Sequence, residues 1–355
     1  MKAYKLIGII AAFFLLTSFS DNHVINIYMI GDSTMANKDI SGDKQERGWG
    51  MVLPSYFTDD VRIHNHAVNG RSSKSFIDEG RWQRVLDQLK PGDYVFIQFG
   101  HNDEKPSADR HTNPGTTFDD NLARFVLETR EKGAIPVLFN AVVRRNFYNA
   151  QSMEQKVDNN NPRDDEALRN TTFADLEENI NSDTLIDTHG QYIVAPRNVA
   201  NRLHVPFVNA NRITHDIEQG AGIIGSRRLH MWFKPGEHPS VPDGRKDNTH
   251  YNVYGAHVVA SQIVDEIGRK VPALTPFIRH YDIYVANDGS GHYFRLQDAL
   301  RIAEKHLIPS PSGKGLVRAG NKITILVDST SQKTIFPKNN NIVIEYRCPS
   351  PGKTD

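Results

Sequence analysis

Residues 25–36, INIYMIGDSTMA, contain a short β-type run, 26–30, that stops at Gly31-Asp32-Ser33-Thr34. A brief run of this kind, closed by turn residues, reads as a buried strand. A serine at the carboxyl end of such a strand stands where open α/β sheets hold their ligands. Gly31 permits a sharp turn there, and the amides beyond it can face a developing anion. Ser33 is therefore a candidate nucleophile; the other reading of the same tetrapeptide is a turn whose serine caps a helix.

Working outward, further strand-like runs fall at 61–68, 94–99 (YVFIQF), 135–141 (IPVLFNA) and 205–208. Amphipathic stretches separate them. The first, 75–89, carries Phe76, Ile77, Trp82, Val85, Leu86 and Leu89, and 118–132 and 195–203 follow. Alternating β and α at this spacing predicts a parallel sheet covered by helices on both faces. Right-handed crossovers then bring the carboxyl ends of all strands to one rim. Two more polar loops leave that rim, Asn69-Gly70-Arg71-Ser72-Ser73 and Gly100-His101-Asn102-Asp103.

Later in the chain, residues 246–252 (KDNTHYN) precede an amphipathic stretch at 253–267 with Val258, Val259, Ile263, Val264 and Ile267 apolar. Asp247 and His250, three apart, can face the same side of a turn. An aspartate so placed holds one imidazole nitrogen while the other works as a base. Ser33, Asp247 and His250 then make a nucleophile, an orienter and a base. The Ser33 and Gly70 amides and the Asn102 side chain are candidate oxyanion donors, each worth roughly 3–4 kcal/mol when removed in other hydrolases. Of the fifteen histidines, His64/His66 and His230/His238 form pairs, but neither is joined by a carboxylate at ligand spacing, so no metal and no cofactor are expected. His101 is read as ordering its own loop. Gly220–Gly225 has the spacing of a dinucleotide fingerprint but follows no strand, so no nucleotide site is assigned.

Ser33, Gly70, Asn102 and His250, in four separated blocks, resemble the SGNH (GDSL-like) hydrolases. More narrowly, Gly31-Asp32-Ser33-Thr34-Met35-Ala36, Asn69-Gly70-Arg71-Ser72-Ser73, Gln98-Phe99-Gly100-His101-Asn102-Asp103 and Asp247-Asn248-Thr249-His250 resemble the rhamnogalacturonan acetylesterases. The likeness spans roughly residues 24–272. It implies a three-layer α/β/α, flavodoxin-like fold with a parallel central sheet, no metal, and removal of acetyl groups from pectic polysaccharide. That substrate is anionic, which makes Arg71, Arg144 and Arg145 candidate carboxylate clamps. Their other reading is pairing with acids such as Asp119 or Asp120. Trp49 and Trp232 are read either as sugar-stacking platforms or as core.

The remaining features set the frame. The 355 residues carry 42 basic and 42 acidic side chains, a balance that argues against nucleic acid as a partner. The single cysteine, Cys348, excludes a disulfide framework. Lys2 and Lys5 precede an apolar run at 6–16 that is short for a membrane span, so 1–20 reads as a signal peptide and the chain as exported, with no stable membrane insertion. The esterase domain is expected at 21–275, with a polar insertion at 151–181.

Residues 276–355 change character. Val285-Ala286-Asn287-Asp288-Gly289-Ser290-Gly291 leads into a helical stretch at 294–305, then strand-like runs at 323–327 and 342–346. This resembles the opening of a pectin methylesterase, which implies a short β-helix-like fragment: a cap and a first coil, either loosely packed or docked on the esterase, without methylesterase activity of its own. The expected activity is a serine acetylesterase acting on pectin. The alternatives are an acetylesterase for another polysaccharide such as xylan, a methylesterase, or a pectin-binding protein with a vestigial site. The sequence sets no oligomeric state.

Overall fold

The computed structural model describes residues 24–149, 180–307, 322–328, 337 and 341–347. The signal peptide at 1–20, nearly all of the 151–181 insertion and Cys348 lie outside the described residues.

Five strands form the central sheet: β1 (Ile25–Gly31), β3 (Val61–Asn65), β4 (Tyr94–Gln98), β5 (Ile135–Phe139) and β6 (Phe207–Val208), in the order β3-β1-β4-β5-β6 and all parallel. Side chains alternate between its faces, as strand geometry requires. Ile27 and Met29 join Phe96, Val137 and Phe139 in one core, while Tyr28 and Ile30 join Val95, Ile97 and Leu138 in the other.

The first face is covered by α1 (Trp49–Val52), α6 (Ala210–Gly225) and α7 (Val253–Lys270), through Trp49, Val52, Ile213, Val259, Ile263 and Ile267. The second is covered by α2 (Ser73–Asp78), α3 (Arg81–Leu86), α4 (Thr117–Glu131) and α5 (Ala195–Leu203), through Phe76, Trp82, Phe118, Phe125 and Val199. Burying each such side chain stabilises the fold by roughly 1.5–3 kcal/mol before entropy is counted. Three layers result, the expected α/β/α arrangement. Among the described residues no helix is long and apolar enough to cross a membrane.

Several boundaries differ from the sequence reading. The single helix expected at 75–89 is two, because Gly80 takes a left-handed conformation (φ 66°) between α2 and α3. Its start also moves forward, where Ser72 and Ser75 cap one another reciprocally. The strand expected at 61–68 stops at Asn65; beyond it only the His66 and Val68 amides are bonded to β1, at the Met29 and Gly31 carbonyls. The glycine-spaced run at 220–225 is the end of α6.

A second sheet was not foreseen. β2 (Glu46–Arg47), β7 (His230–Phe233) and β8 (Arg245–Asn252) pair antiparallel in the order β2-β8-β7. The third sheet, β11-β10-β9, is parallel: β9 (Ile283–Val285), β10 (Ile323–Asp328) and β11 (Ile342–Arg347), with α8 (Leu296–Leu307) packing Leu296 and Ala299 on Val285, Ile325 and Val327. This C-terminal segment docks on the larger unit. Buried Arg47 donates to the Gly289 carbonyl at 2.8 Å, His257 bonds the Ser290 carbonyl at 2.8 Å, and Tyr281 stacks on Tyr56.

Candidate active site

The register of the central sheet ends three strands in one row, since Gly31 pairs with Gln98 and Gln98 with Phe139. The loops that follow them therefore leave the sheet side by side. In the first, Asp32 Oδ1 accepts from the Thr34 amide at 2.9 Å and its hydroxyl at 2.8 Å, closing a tight turn. Gln98 donates to Thr34 Oγ1 at 2.8 Å and accepts from Trp49 Nε1 at 2.9 Å, locking that turn to the sheet. Trp49 is fully buried and thus belongs to the core; it offers no sugar platform.

Asp247 and His250 reach the same side by a route that helical spacing did not foresee. They lie on β8, where residues three apart point to opposite faces of a regular strand. Here the ladder is irregular. His230 pairs with Tyr251 and Trp232 with Lys246, so two steps along β7 are matched by five along β8. The surplus residues bulge out of the sheet. Asp247 Oδ1 holds the bulge by accepting from the Thr249 amide at 2.8 Å and the His250 amide at 2.9 Å. Asn252 then caps α7, accepting from the Gly255 amide while donating to the His230 carbonyl.

The bulge points His250 at the first loop. Its Nδ1–H donates to Asp247 Oδ2 at 2.8 Å, and its Nε2 stands 3.0 Å from Ser33 Oγ. A carboxylate on Nδ1 sets the tautomer that leaves Nε2 as a hydrogen-bond acceptor facing the serine hydroxyl. Ser33, Asp247 and His250 are all buried. Burial pushes the Asp247 carboxyl up, but His250 beside it, Arg245 and the His250 amide together hold it well below the usual carboxylate range. It is therefore an anion throughout the range in which a histidine works as a base.

The polar loops after β3 and β4, at 69–73 and 100–103, are joined to each other. Asp103, fully buried, accepts from the Ser73 amide at 3.0 Å, the Ser73 hydroxyl at 2.5 Å, the Thr112 hydroxyl at 2.9 Å and the Gly100 amide at 3.1 Å. Burial, opposed by these bonds, pushes its carboxyl up to about 6. Asn102 Nδ2 donates to the Arg71 carbonyl at 3.2 Å, which orients the amide and leaves its second hydrogen for a ligand. Gly70 sits at φ 74°, a conformation that disfavours any residue with a Cβ. Neither the Ser33 nor the Gly70 amide donates to a backbone acceptor among the described residues.

The three arginines have different fates. Arg71 is half-buried at the rim, its Nε 3.1 Å from both Glu79 oxygens. Arg144 pairs with Glu104 and also donates to the His101 carbonyl at 3.2 Å. Arg145 is buried, and its guanidinium donates to Ser226 Oγ, Asn248 Oδ1 and the Ile223 carbonyl. Its own amide donates to the Asn248 carbonyl, and Trp232 Nε1 donates to Asn248 Oδ1 at 2.7 Å. Arg145 and Trp232 thus clamp the bulge between Asp247 and His250. Asp119 and Asp120, named as rival partners for these arginines, take part in none of these contacts. His101 does more than shape its loop: its Nδ1 meets His189 Nε2 at 3.0 Å. Sequence reasoning missed Arg245, which pairs with Asp247 and, at 2.8 Å, with Glu46. Arg245 lies two residues before Asp247 on β8, but nothing local in the sequence pointed to Glu46.

Residues 29–258 match the GDSL-like lipase/acylhydrolase family. The chain is 35% identical over 243 residues to the rhamnogalacturonan acetylesterase RhgT of Bacillus subtilis, covering 68% of this chain and 89% of that one. It is 47% identical over 77 residues to a rhamnogalacturonan acetylesterase of Emericella nidulans, 22% of this chain and 28% of the other. Among solved structures, Bacillus subtilis YxiM aligns with a TM-score of 0.52 at 21% identity, over 70% of this chain and 58% of that one, a likeness of fold.

Proposed function

The chain belongs to the GDSL-like lipase/acylhydrolase family and is a carboxylic ester hydrolase, and from that premise we propose that it removes acetyl groups from pectic polysaccharide, rhamnogalacturonan in particular, through an acyl-enzyme on Ser33. The observation that carries this reading is the unbroken chain Ser33 Oγ, His250 Nε2 at 3.0 Å, and His250 Nδ1 to Asp247 at 2.8 Å. The substrate rests on the relatives named rhamnogalacturonan acetylesterase.

In this mechanism Ser33 Oγ attacks the acetyl carbonyl as His250 Nε2 takes its proton. The oxyanion is held by the Ser33 and Gly70 amides and by Asn102 Nδ2. His250 returns the proton to the departing sugar oxygen. Water, deprotonated by the same nitrogen, then attacks the acetyl-serine and releases acetate. Asp247 keeps the imidazole oriented and stabilises its charged form. Arg71, half-buried beside Gly70, is the arginine we carry forward as a clamp for a uronate carboxylate. We further read the 1–20 segment as directing export, and the docked C-terminal segment as a methylesterase-like module.

The test is acetate release from acetylated rhamnogalacturonan, homogalacturonan and xylan by the full chain and by Ser33→Ala. Rhamnogalacturonan should give the fastest release, and the variant should lose at least about 10⁴-fold in kcat. Undiminished turnover by Ser33→Ala would overturn the acyl-enzyme. Equal rates on all three polymers would overturn the substrate.

A further inference from the structure

A line of alternating charges runs behind the site. Asp247 Oδ2, which accepts from His250, also accepts from the Arg245 guanidinium. Arg245 Nη1 donates to Glu46 Oε2 at 2.8 Å, Lys38 Nζ lies 2.9 Å from Glu46 Oε1, and the same ammonium donates to Asn69 Oδ1 at 2.7 Å. Asn69 immediately precedes Gly70. The line thus begins at the residue that orients His250 and ends at the loop offering an oxyanion donor. Its members come from β8, from β2 and from the loops after β1 and β3, so no single element holds it together.

These groups are largely shielded from water: side-chain exposure is 4% for Lys38, 14% for Glu46, 19% for Arg245 and 5% for Asp247. Two anions and two cations cancel. Buried pairs of this kind contribute little net stability, because desolvation offsets most of the attraction. What they supply is geometry and a local field. β2, which carries Glu46, is pinned from behind by Arg47, whose guanidinium donates to the Gly289 carbonyl of the docked C-terminal segment.

We propose that Glu46, Arg245 and Lys38 are positioning residues: a charge-alternating strut that aligns the Asp247–His250 pair with the Gly70 loop and sets how readily His250 takes up the serine proton. This rests on the reading of Ser33, Asp247 and His250 as the reacting set. The groups around His250 include Asp247 on its own strand with Arg245 bonded behind it, Glu46 from β2 with Lys38 behind it, His101 from the loop after β4, and the Ser33 hydroxyl.

The strut makes opposite predictions for its two signs. Glu46→Gln removes an anion that favours the imidazolium, so the acid limb of the pH–rate profile should move down by about one pH unit. Arg245→Gln and Lys38→Met each remove an opposing cation, so the limb should move up, by about one and about half a unit. In all three kcat should fall about tenfold while KM stays within about twofold, the signature of lost alignment.

The assay is 4-nitrophenyl acetate hydrolysis by the full chain across the acid limb, with thermal unfolding to confirm that each variant is folded and Ser33→Ala alongside. Opposite displacements support the strut. Coincident profiles, or displacement of all folded variants in one direction, overturn it. Should Arg245→Gln fail to fold, Glu46→Gln against Lys38→Met carries the same comparison. Activity surviving in Ser33→Ala would instead overturn the reacting set, a result distinguishable from failure of the strut.

Discussion

Replacing His292 by phenylalanine should remove a measurable part of the acid sensitivity of this fold. His292 and His257 lie ring on ring with centroids 3.9 Å apart, where the C-terminal segment meets α7. His292 Nδ1 accepts the Tyr284 amide at 3.0 Å, so the native contact needs a neutral ring. Burial lowers His292 from its ordinary 6.5 to about 4, and His257 is pushed down in the same direction, by burial first and then by His292. Between those two pH values the unfolded chain binds a proton that the native state refuses. Stability is therefore full above about pH 6.5, falls as pH drops through that value, and goes on falling until about pH 4. A gap of 2.5 pH units at about 1.36 kcal/mol per unit caps the loss from His292 at about 3 kcal/mol, with about 2 kcal/mol already gone near pH 5. The assay is urea unfolding of the parent chain and His292→Phe near pH 7 and near pH 5. The parent should lose about 2 kcal/mol more than the variant over that interval. Equal losses in both chains would refute the argument, because removing His292 also relieves His257 in the same direction, and the histidines away from this contact titrate in each chain alike.

Three further outcomes follow from the site. Asp247→Asn should cut kcat by about 10⁴, since an amide in place of the carboxylate cannot enforce the working tautomer of His250; a pre-steady-state burst of nitrophenolate from 4-nitrophenyl acetate will show whether acylation is the step lost. Asn102→Ala should lower kcat by about 10²–10³ with KM nearly unchanged, as expected of a donor that strengthens only with the oxyanion. Arg145→Ala leaves acceptors on Asn248, Ser226 and Ile223 without their donor; unfolding free energy should fall by about 3 kcal/mol, and substrate carboxylates should make no difference to the deficit in activity. A variant that is stable but selectively weak on uronate polymers would restore Arg145 as a substrate clamp.

Much of the architecture was legible in residue order alone. Buried strands such as YVFIQF at 94–99 and IPVLFNA at 135–141 announce a sheet covered on both faces, and the β/α alternation sets its strands parallel. From that, the convergence of the Ser33, Gly70 and Asn102 loops on one rim follows, because strand direction determines where loops emerge. What local pattern cannot carry is a pairing between distant residues. Ser33 and His250 are 217 positions apart, and Glu46 and Arg245 are 199 apart; no periodicity connects them. The three extra residues in β8 count as a bulge only against β7, so Asp247 and His250 read as a turn until their neighbouring strand is in place. The arginines show the same limit. A guanidinium in sequence is an open claim on any anion, and burial with the partners nearest in space decided that Arg145 braces the bulge while Arg71 keeps a face toward the rim.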